Sequence, residues 1–125
     1  MNNYISYKET YNALLNKETT CVKIVENYLQ IISDKNSEIN AFVEVFSDQA
    51  KERSGQIDKK ISNGTAGKLA GMVIGVKDNI CIANHRVSAA SKILDGFQSL
   101  YSATVIEKLL EDRHEKLLSF GRFSE

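Results

Sequence analysis

No glycine occurs before Gly55, all seven glycines fall between Gly55 and Gly121, and proline is absent altogether. That asymmetry constrains the chain more than any other feature of the sequence. Without its two strongest breakers, the first half is free to run as helix, while the second half carries the residues that permit sharp turns. Proline averages about 5% of residues, so only glycine, Asn, Asp and Ser are left to punctuate this chain.

The apolar spacing agrees with that division. From Thr20 to Ile32, Cys21, Val22, Ile24, Val25, Tyr28, Leu29, Ile31 and Ile32 recur at intervals of three and four. This is the pattern of an amphipathic helix with a wide buried face, and Thr19 or Thr20 can cap it. Tyr4 to Leu15 forms a shorter helix ahead of it. Asn40 to Phe46 (NAFVEVF) is rich in β-branched and aromatic residues and reads as a short extended segment. Ser47 caps a mostly charged, surface-lying helix that runs to about Ile61, anchored by Ala50, Ile57 and Ile61. Ser62-Asn63-Gly64 is its stop signal.

Beyond that point the pattern changes. Met72-Val73-Ile74-Gly75-Val76 is a short apolar run between Gly71 and Lys77, and reads as a buried strand. Ile80-Cys81-Ile82 reads as a second, shorter one. Ser102 caps a further helix with Val105, Ile106, Leu109 and Leu110 as its stripe. After Glu111 the periodicity gives way to Asp112-Arg113-His114-Glu115-Lys116, and Leu117-Leu118-Ser119-Phe120 begins a new apolar segment. Helices followed by strands and a helix predict a mixed α/β chain.

Charge and composition exclude several classes of function. The chain of 125 residues is long enough for one domain, and its 16 basic residues balance 16 acidic ones. That balance argues against a basic nucleic-acid face spread over the whole surface. A hydrophobic fraction of 42% argues against an acidic disordered tail. No apolar run approaches the roughly 18 residues that span a membrane, and Met1 to Tyr7 lack the layout of a signal peptide. The cytoplasm is the expected location. Cys21 and Cys81 form no CxxC pair and read as reduced, partly buried thiols. His85 and His114 have no partner at ligand spacing, so no metal site is expected.

Three blocks carry chemistry. The first is Leu69-Ala70-Gly71, four residues, then Val76-Lys77-Asp78-Asn79. The second is Ser91-Lys92-Ile93-Leu94-Asp95-Gly96-Phe97, and the third Tyr101-Ser102-Ala103-Thr104-Val105. In this order and spacing they resemble the amidase signature family, and within it the A-subunit branch of the glutamyl-tRNA(Gln) amidotransferases. Asn40-Ala41-Phe42 is similar to the N-terminal helical region of that family.

The resemblance implies an α/β fold: N-terminal helices, then the first strands and a helix of the family's mixed central sheet, incomplete in this chain. Residues 1–62 would be the helical region, 67–111 the start of the amidase core and 112–125 a divergent tail. It also implies a Ser–cis-Ser–Lys triad in which Lys77 is the lysine. A lysine accepts a proton only when neutral, so burial must pull it below its ordinary value of about 10.4. Held neutral behind an apolar strand, Lys77 would take the proton of a bridging serine and so activate the nucleophilic one. The local sequence by itself reads as an exposed lysine at a strand end, and it is the flanking blocks that favour the triad.

The neighbours of Lys77 have simpler readings. Asp78 and Asn79 are read as bonding the local backbone. Ser88, Ser91 and Ser102 are read as turn and cap residues, and Lys92 as a solvated charge. The chain departs from the family pattern at Val73, where proline is common, and over Glu111 to Ser119, although Gly121-Arg122 echoes the family. A shifted reading frame, local divergence or an engineered end would each account for that junction.

By the resemblance, the glycine- and serine-rich loop that supplies both serines and the oxyanion amides lies beyond Glu125. The chain alone is therefore expected to be inactive. The expected function is that of the N-terminal part of a glutamine-hydrolysing amidotransferase subunit. A generic amidase fragment and a non-catalytic binding remnant are the alternatives. The implied partners are the other amidotransferase subunits, with tRNA engaged through the complex and no membrane. No cofactor is expected on this chain, and ATP and Mg2+ are implied for the partner subunit.

Overall fold

A computed structural model describes residues 6–114, with side chains described to residue 111. Four α-helices alternate with irregular chain: α1 (Tyr7–Leu15), α2 (Cys21–Ile39), α3 (Ser47–Ser62) and α4 (Thr104–His114). A 3-10 turn spans Lys92–Leu94.

Each of the first two helices opens on a hydroxyl cap. Ser6 accepts from the Glu9 amide at 3.3 Å, and Thr20 from the Lys23 amide at 3.2 Å. Helix α1 therefore begins at Tyr7, and the earlier residues of the expected helix, Tyr4 among them, lie outside the described residues. Helix α2 continues seven residues past Ile32. Its last two turns are polar because they face solvent, so the apolar spacing fades while the helix goes on. Gln30 donates to Asp34 at 2.8 Å along this stretch. Asn40 stops it in the left-handed region at φ 53°, a conformation Asn tolerates better than most residues.

Helix α3 packs along α2. Ser47 is its first residue and not its cap. Phe46 occupies the cap position, with no side chain bonding the free amides. Ser54 and Ile57 are buried, whereas Ala50 and Ile61 are half-buried, so the helix is less superficial than its charge suggests. Asp58 is the main polar link between the two helices. Its carboxylate accepts from the Cys21 amide at 2.7 Å and the Val22 amide at 3.2 Å. These are two of the donors that a helix start leaves unsatisfied, and the negative charge suits the positive end of the α2 dipole.

The core is small: Leu14, Cys21, Ile57, Ala66 and Ala70, flanked by Tyr11, Ile24 and Ile61. Gly71 closes it at φ +81°, and a Cβ there would overlap Leu14 Cδ1 and crowd Cys21 Sγ at 3.3 Å. The Tyr7 hydroxyl, shared between the Lys68 carbonyl at 2.7 Å and the Ala70 carbonyl at 3.0 Å, fastens α1 to the same turn.

The α/β expectation needs correcting. Among the described residues there is no strand, and the one isolated β-bridge pairs Arg86 with Gln98 in antiparallel sense. Residues 72–77 are neither helix, strand nor turn. Val73, Ile74 and Val76 are 44%, 36% and 38% exposed, not buried. The reason is pairing. A strand exists only through a neighbour that takes its backbone bonds, and the amides of residues 73–76 find none among the described residues. Residues 80–82 are not a strand either. They are held by the start of α4, where the Ala103 amide donates to the Cys81 carbonyl at 2.9 Å. Asn40 to Phe46 is likewise unpaired. Asn36 on α2 brackets it, accepting from the Phe42 amide at 2.9 Å and donating to the Phe42 carbonyl at 3.0 Å.

Helix α4 forms where the stripe predicts, with Ile106 buried, Leu109 and Leu110 half-buried and Val105 exposed. Ser102 accepts from the Ala83 amide at 3.0 Å, so it ties α4 to the preceding loop. The helix extends through the first charged residues to His114, and the rest of the 112–125 tail lies outside the described residues.

Candidate functional site

The unpaired 72–77 segment forms one wall of an open groove of about 940 Å3. Facing it are Val25, Tyr28, Leu29 and Ile32 of α2, Ile57 of α3, residues 41–46, and Ile106, Leu109 and Leu110 of α4. Gly75 lies beside the Phe42 ring. A Cβ at that position would sit 3.5 Å from Phe42 Cε1, and Asn36 fixes the backbone of Phe42 on the opposite wall. The groove is thus an apolar trough, with Lys77 and Asp78 where the apolar wall ends.

Lys77 is exposed. The burial that the sequence led one to expect around it is not supplied by the described residues. The next residue is far more constrained. Asp78 accepts from the Ser88 amide at 3.0 Å on one carboxylate oxygen and from the Ser88 hydroxyl, at short range, on the other. Its own carbonyl accepts from the Ala89 amide at 2.9 Å. The Ser88 hydroxyl is the largest influence holding the Asp78 carboxyl below its ordinary value of 3.8. The Ser88 amide and the amides of Ala90 and Ala89 add to it against a small cost of burial.

Asp78 therefore does bond backbone, but ten residues away rather than locally. Ser88 is a turn residue as expected, its carbonyl accepting from the Ser91 amide at 2.8 Å. Ser91 precedes the 3-10 turn without a side-chain cap bond, and Lys92 is exposed. The turn is backbone-strained. Ala89 and Ala90 lie at φ 47° and 56°, a region that L-residues with a Cβ enter at a cost of about 1–2 kcal/mol each.

A second polar cluster flanks the groove. His85 sits edge-on to Phe46 with centroids 4.4 Å apart. Its Nδ1 lies 2.8 Å from the Ala83 carbonyl and its Nε2 2.9 Å from Gln49 Oε1. Arg86 is engaged by Asp95 at 3.4 Å, an exposed pair. The Cys81 thiol lies 3.8 Å from the Tyr101 hydroxyl. That hydrogen bond, then the charge of the sulfur once ionised, then burial raise Tyr101 above its ordinary value of 10.0. Neither cysteine is in a disulfide; Cys21 is buried and Cys81 half-buried. No group of three or more metal-binding side chains occurs among the described residues. Sequence reasoning missed the Asp78–Ser88 pairing, the His85–Gln49 contact and the buried Ser99, whose hydroxyl donates to the Tyr101 carbonyl at 2.7 Å. No periodicity or spacing announces any of the three.

Comparison with known proteins settles the family. The family model described as Amidase matches residues 23–113. The chain belongs to the amidase family. It is 45% identical over 103 residues to the glutamyl-tRNA(Gln) amidotransferase A subunit of Methanobrevibacter smithii, covering 82% of this chain and 23% of that protein. The A subunit of Chlorobium phaeobacteroides strain DSM 266 is 41% identical over 110 residues, or 87% of this chain and 23% of that protein. That of Salinibacter ruber is 42% identical over 106 residues, or 85% and 21%. The chain thus spans under a quarter of the length of these relatives.

Among solved structures it superposes on a chain of a vestigial protein complex described as revealing the origins of an s-triazine catabolic enzyme. The TM-score is 0.81 at 22% identity, over 90% of this chain and 25% of that one. An inhibitor-bound form of the complex gives 0.76. At that identity the likeness is one of fold, and it extends over the irregular part of the amidase chain as well as its helices. No described helix is long and apolar enough to cross a membrane.

Proposed function

We propose that this amidase-family chain is the N-terminal part of the glutamine-hydrolysing component of a tRNA-dependent amidotransferase, with Lys77 as the proton acceptor of its triad. The observation that carries this reading is the position of Lys77 at the end of the apolar 72–76 wall, whose backbone amides at 73–76 have no partner among the described residues. Strands added along both edges of that wall would satisfy those amides, which point alternately to either side, and packing against them would cover Val73, Ile74 and Val76. They would also desolvate Lys77, the condition under which a lysine loses its proton. The remainder of an amidase domain is the natural source of those strands and of the attacking serine, the bridging serine and the oxyanion donors.

Within such an enzyme the division of labour follows from chemistry. Lys77 takes the proton that the bridging serine passes on from the nucleophile. The groove walls exclude water from the amide. Lys77 alone cannot form the acyl intermediate, and triad members act as a unit rather than additively. The chain by itself is therefore expected to be inactive toward glutamine. The other amidotransferase subunits would be its partners, with ATP and Mg2+ used on one of those partners, tRNA met through the complex, and the cytoplasm as the setting.

The test is a full-length chimera in which residues 23–111 of this chain replace the matching segment of the Methanobrevibacter smithii protein, assembled with that protein's own partner subunits. Glutamine hydrolysis retained by the chimera and lost, by at least a hundredfold, in Lys77→Ala is the expected result. Full activity in Lys77→Ala would remove Lys77 from the mechanism. Turnover by the 125-residue chain alone would show that a serine within it, Ser88 or Ser91, serves as nucleophile. Hydrolysis of simple amides but not glutamine by the chimera would favour a generic amidase.

A further inference from the structure

Lys77 and Asp78 are adjacent, oppositely charged and in irregular chain, yet they form no ion pair. Lys77 has none with any described residue, whereas nearby Arg86 is paired with Asp95. The reason lies across the loop. Both Asp78 oxygens accept from Ser88, one from its amide and the other from its hydroxyl. Ala89 and Ala90 hold φ angles of 47° and 56°, and strain of this kind persists only where surrounding bonds enforce it. Three sets of bonds do so: Ser88 to Asp78, the Ala89 amide to the Asp78 carbonyl at 2.9 Å, and the Ala90 amide to the Ser88 hydroxyl at 3.3 Å.

We propose that the Ser88–Ala90 turn is a carboxylate clamp that sequesters Asp78 from Lys77, making Ser88 and Asp78 positioning residues for that lysine. The consequence for catalysis rests on the reading of Lys77 as proton acceptor. A carboxylate free to pair with the ammonium would favour its charged form, and a charged lysine accepts no proton. Clamping the aspartate keeps its carboxylate out of ion-pair contact with the ammonium while leaving it in place to fix the 77–80 turn, in which the Ile80 amide donates to the Lys77 carbonyl at 3.0 Å.

The other charged groups lining the groove, with its histidine, are Glu44, Arg53, His85, Arg86 and Asp95. Arg86 is held by Asp95, and His85 by Ala83 and Gln49. None of the five makes an ion pair with Asp78 or Lys77. Release of the clamp therefore leaves Lys77 as the nearest cation in sequence for the freed carboxylate.

The experiment is competitive acetylation of the whole 125-residue chain with trace acetic anhydride. Lys77 is read against Lys51 of α3 by peptide mass spectrometry, with circular dichroism confirming the fold of each variant. An exposed ion pair is worth enough to slow an amine about two- to fivefold. Ser88→Ala is expected to slow Lys77 by that factor, Ser88→Thr to restore the wild-type rate by keeping the hydroxyl, and Ser88→Ala with Asp78→Asn to abolish the slowing. Simple loosening of the loop would instead leave Lys77 unchanged or speed it, and that result overturns the clamp.

Asp78→Asn alone keeps the test decisive should Ser88→Ala fail to fold. It is expected to leave the Lys77 rate within experimental error, because the carboxylate is already sequestered. A rise would mean that Asp78 pairs with Lys77 in the wild type, contrary to the proposal. Failure of Lys77 as proton acceptor would appear separately, as an active Lys77→Ala chimera with the acetylation pattern unchanged.

Discussion

Replacing Asp58 by alanine takes away the carboxylate that accepts from the Cys21 and Val22 amides. The cost can be worked from the geometry. Each bond joins an amide to a charged acceptor, at 2.7 and 3.2 Å, and such bonds contribute about 1.5–3 kcal/mol when well shielded. Asp58 is half-buried, so water replaces part of what is lost and the lower end applies, more weakly still for the longer bond. The charge at the N-terminus of α2 adds about 0.3–1 kcal/mol. Cys21 is 2% exposed, which limits the access of water to its amide. Together these give a loss of about 2–3 kcal/mol.

With a urea slope of about 1–3 kcal/mol per molar, the midpoint of unfolding followed by helical circular dichroism should fall by roughly 0.7–3 M. Asp58→Asn keeps one acceptor oxygen and should cost about half as much. Asp34→Ala is the control. Its carboxylate bonds only the exposed Gln30 side chain, and it should change stability by less than about 0.5 kcal/mol. If Asp58→Ala behaves like Asp34→Ala, or if Asn is as damaging as Ala, the reasoning about the latch is wrong.

Gly71→Ala should destabilise by about 2–3 kcal/mol, since the methyl group would collide with Leu14 Cδ1 at a positive φ; a thermal melt unchanged to within about a degree would refute this. Tyr7→Phe should cost about 1 kcal/mol by leaving the Lys68 and Ala70 carbonyls short of a donor, and urea denaturation reads it. Asp78 is held below its ordinary value of 3.8 in the folded chain. Its stabilising contribution is therefore fully present above that pH and disappears as the pH falls through the lower folded value. Amide exchange at Ser88 should accelerate only in that acid range, and Asp78→Asn should abolish the pH dependence; an onset near neutrality would contradict the assignment.

What the sequence made legible was whatever repeats along the chain. The stripe of α2 and the hydroxyl of Thr20 placed that helix correctly at its start. Asn63-Gly64 placed the end of α3, and Val105 to Leu110 placed α4. The end of α2 escaped because Ser33 to Ile39 lie over solvent, where helix continuity leaves no apolar signature. The strand expectation at residues 72–76 went wrong for a different reason: an apolar run reports a wish to be covered, whereas a strand is a property of two segments. In the site, the order of Lys77, Asp78 and Ser88 was readable. That the Asp78 carboxylate reaches across ten residues to Ser88 depends on two left-handed alanines, and nothing in the residue type Ala signals them.

The latch at Asp58, the Tyr7 fastening and the Gly71 contact share a property that bears on how the polypeptide comes into being. Every residue they join lies before Met72. Domains fold as units from the N-terminus during synthesis, so the segment up to Gly71 can close on itself while the rest is still inside the ribosome. The Met72–Val76 wall then emerges beside an already formed surface of α2 and α3. On this order α1–α3 would form the folding nucleus, and Lys77 would join a surface already built. Substitutions at Asp58 or Gly71 should therefore slow folding, whereas those at Ser88 should mainly speed unfolding.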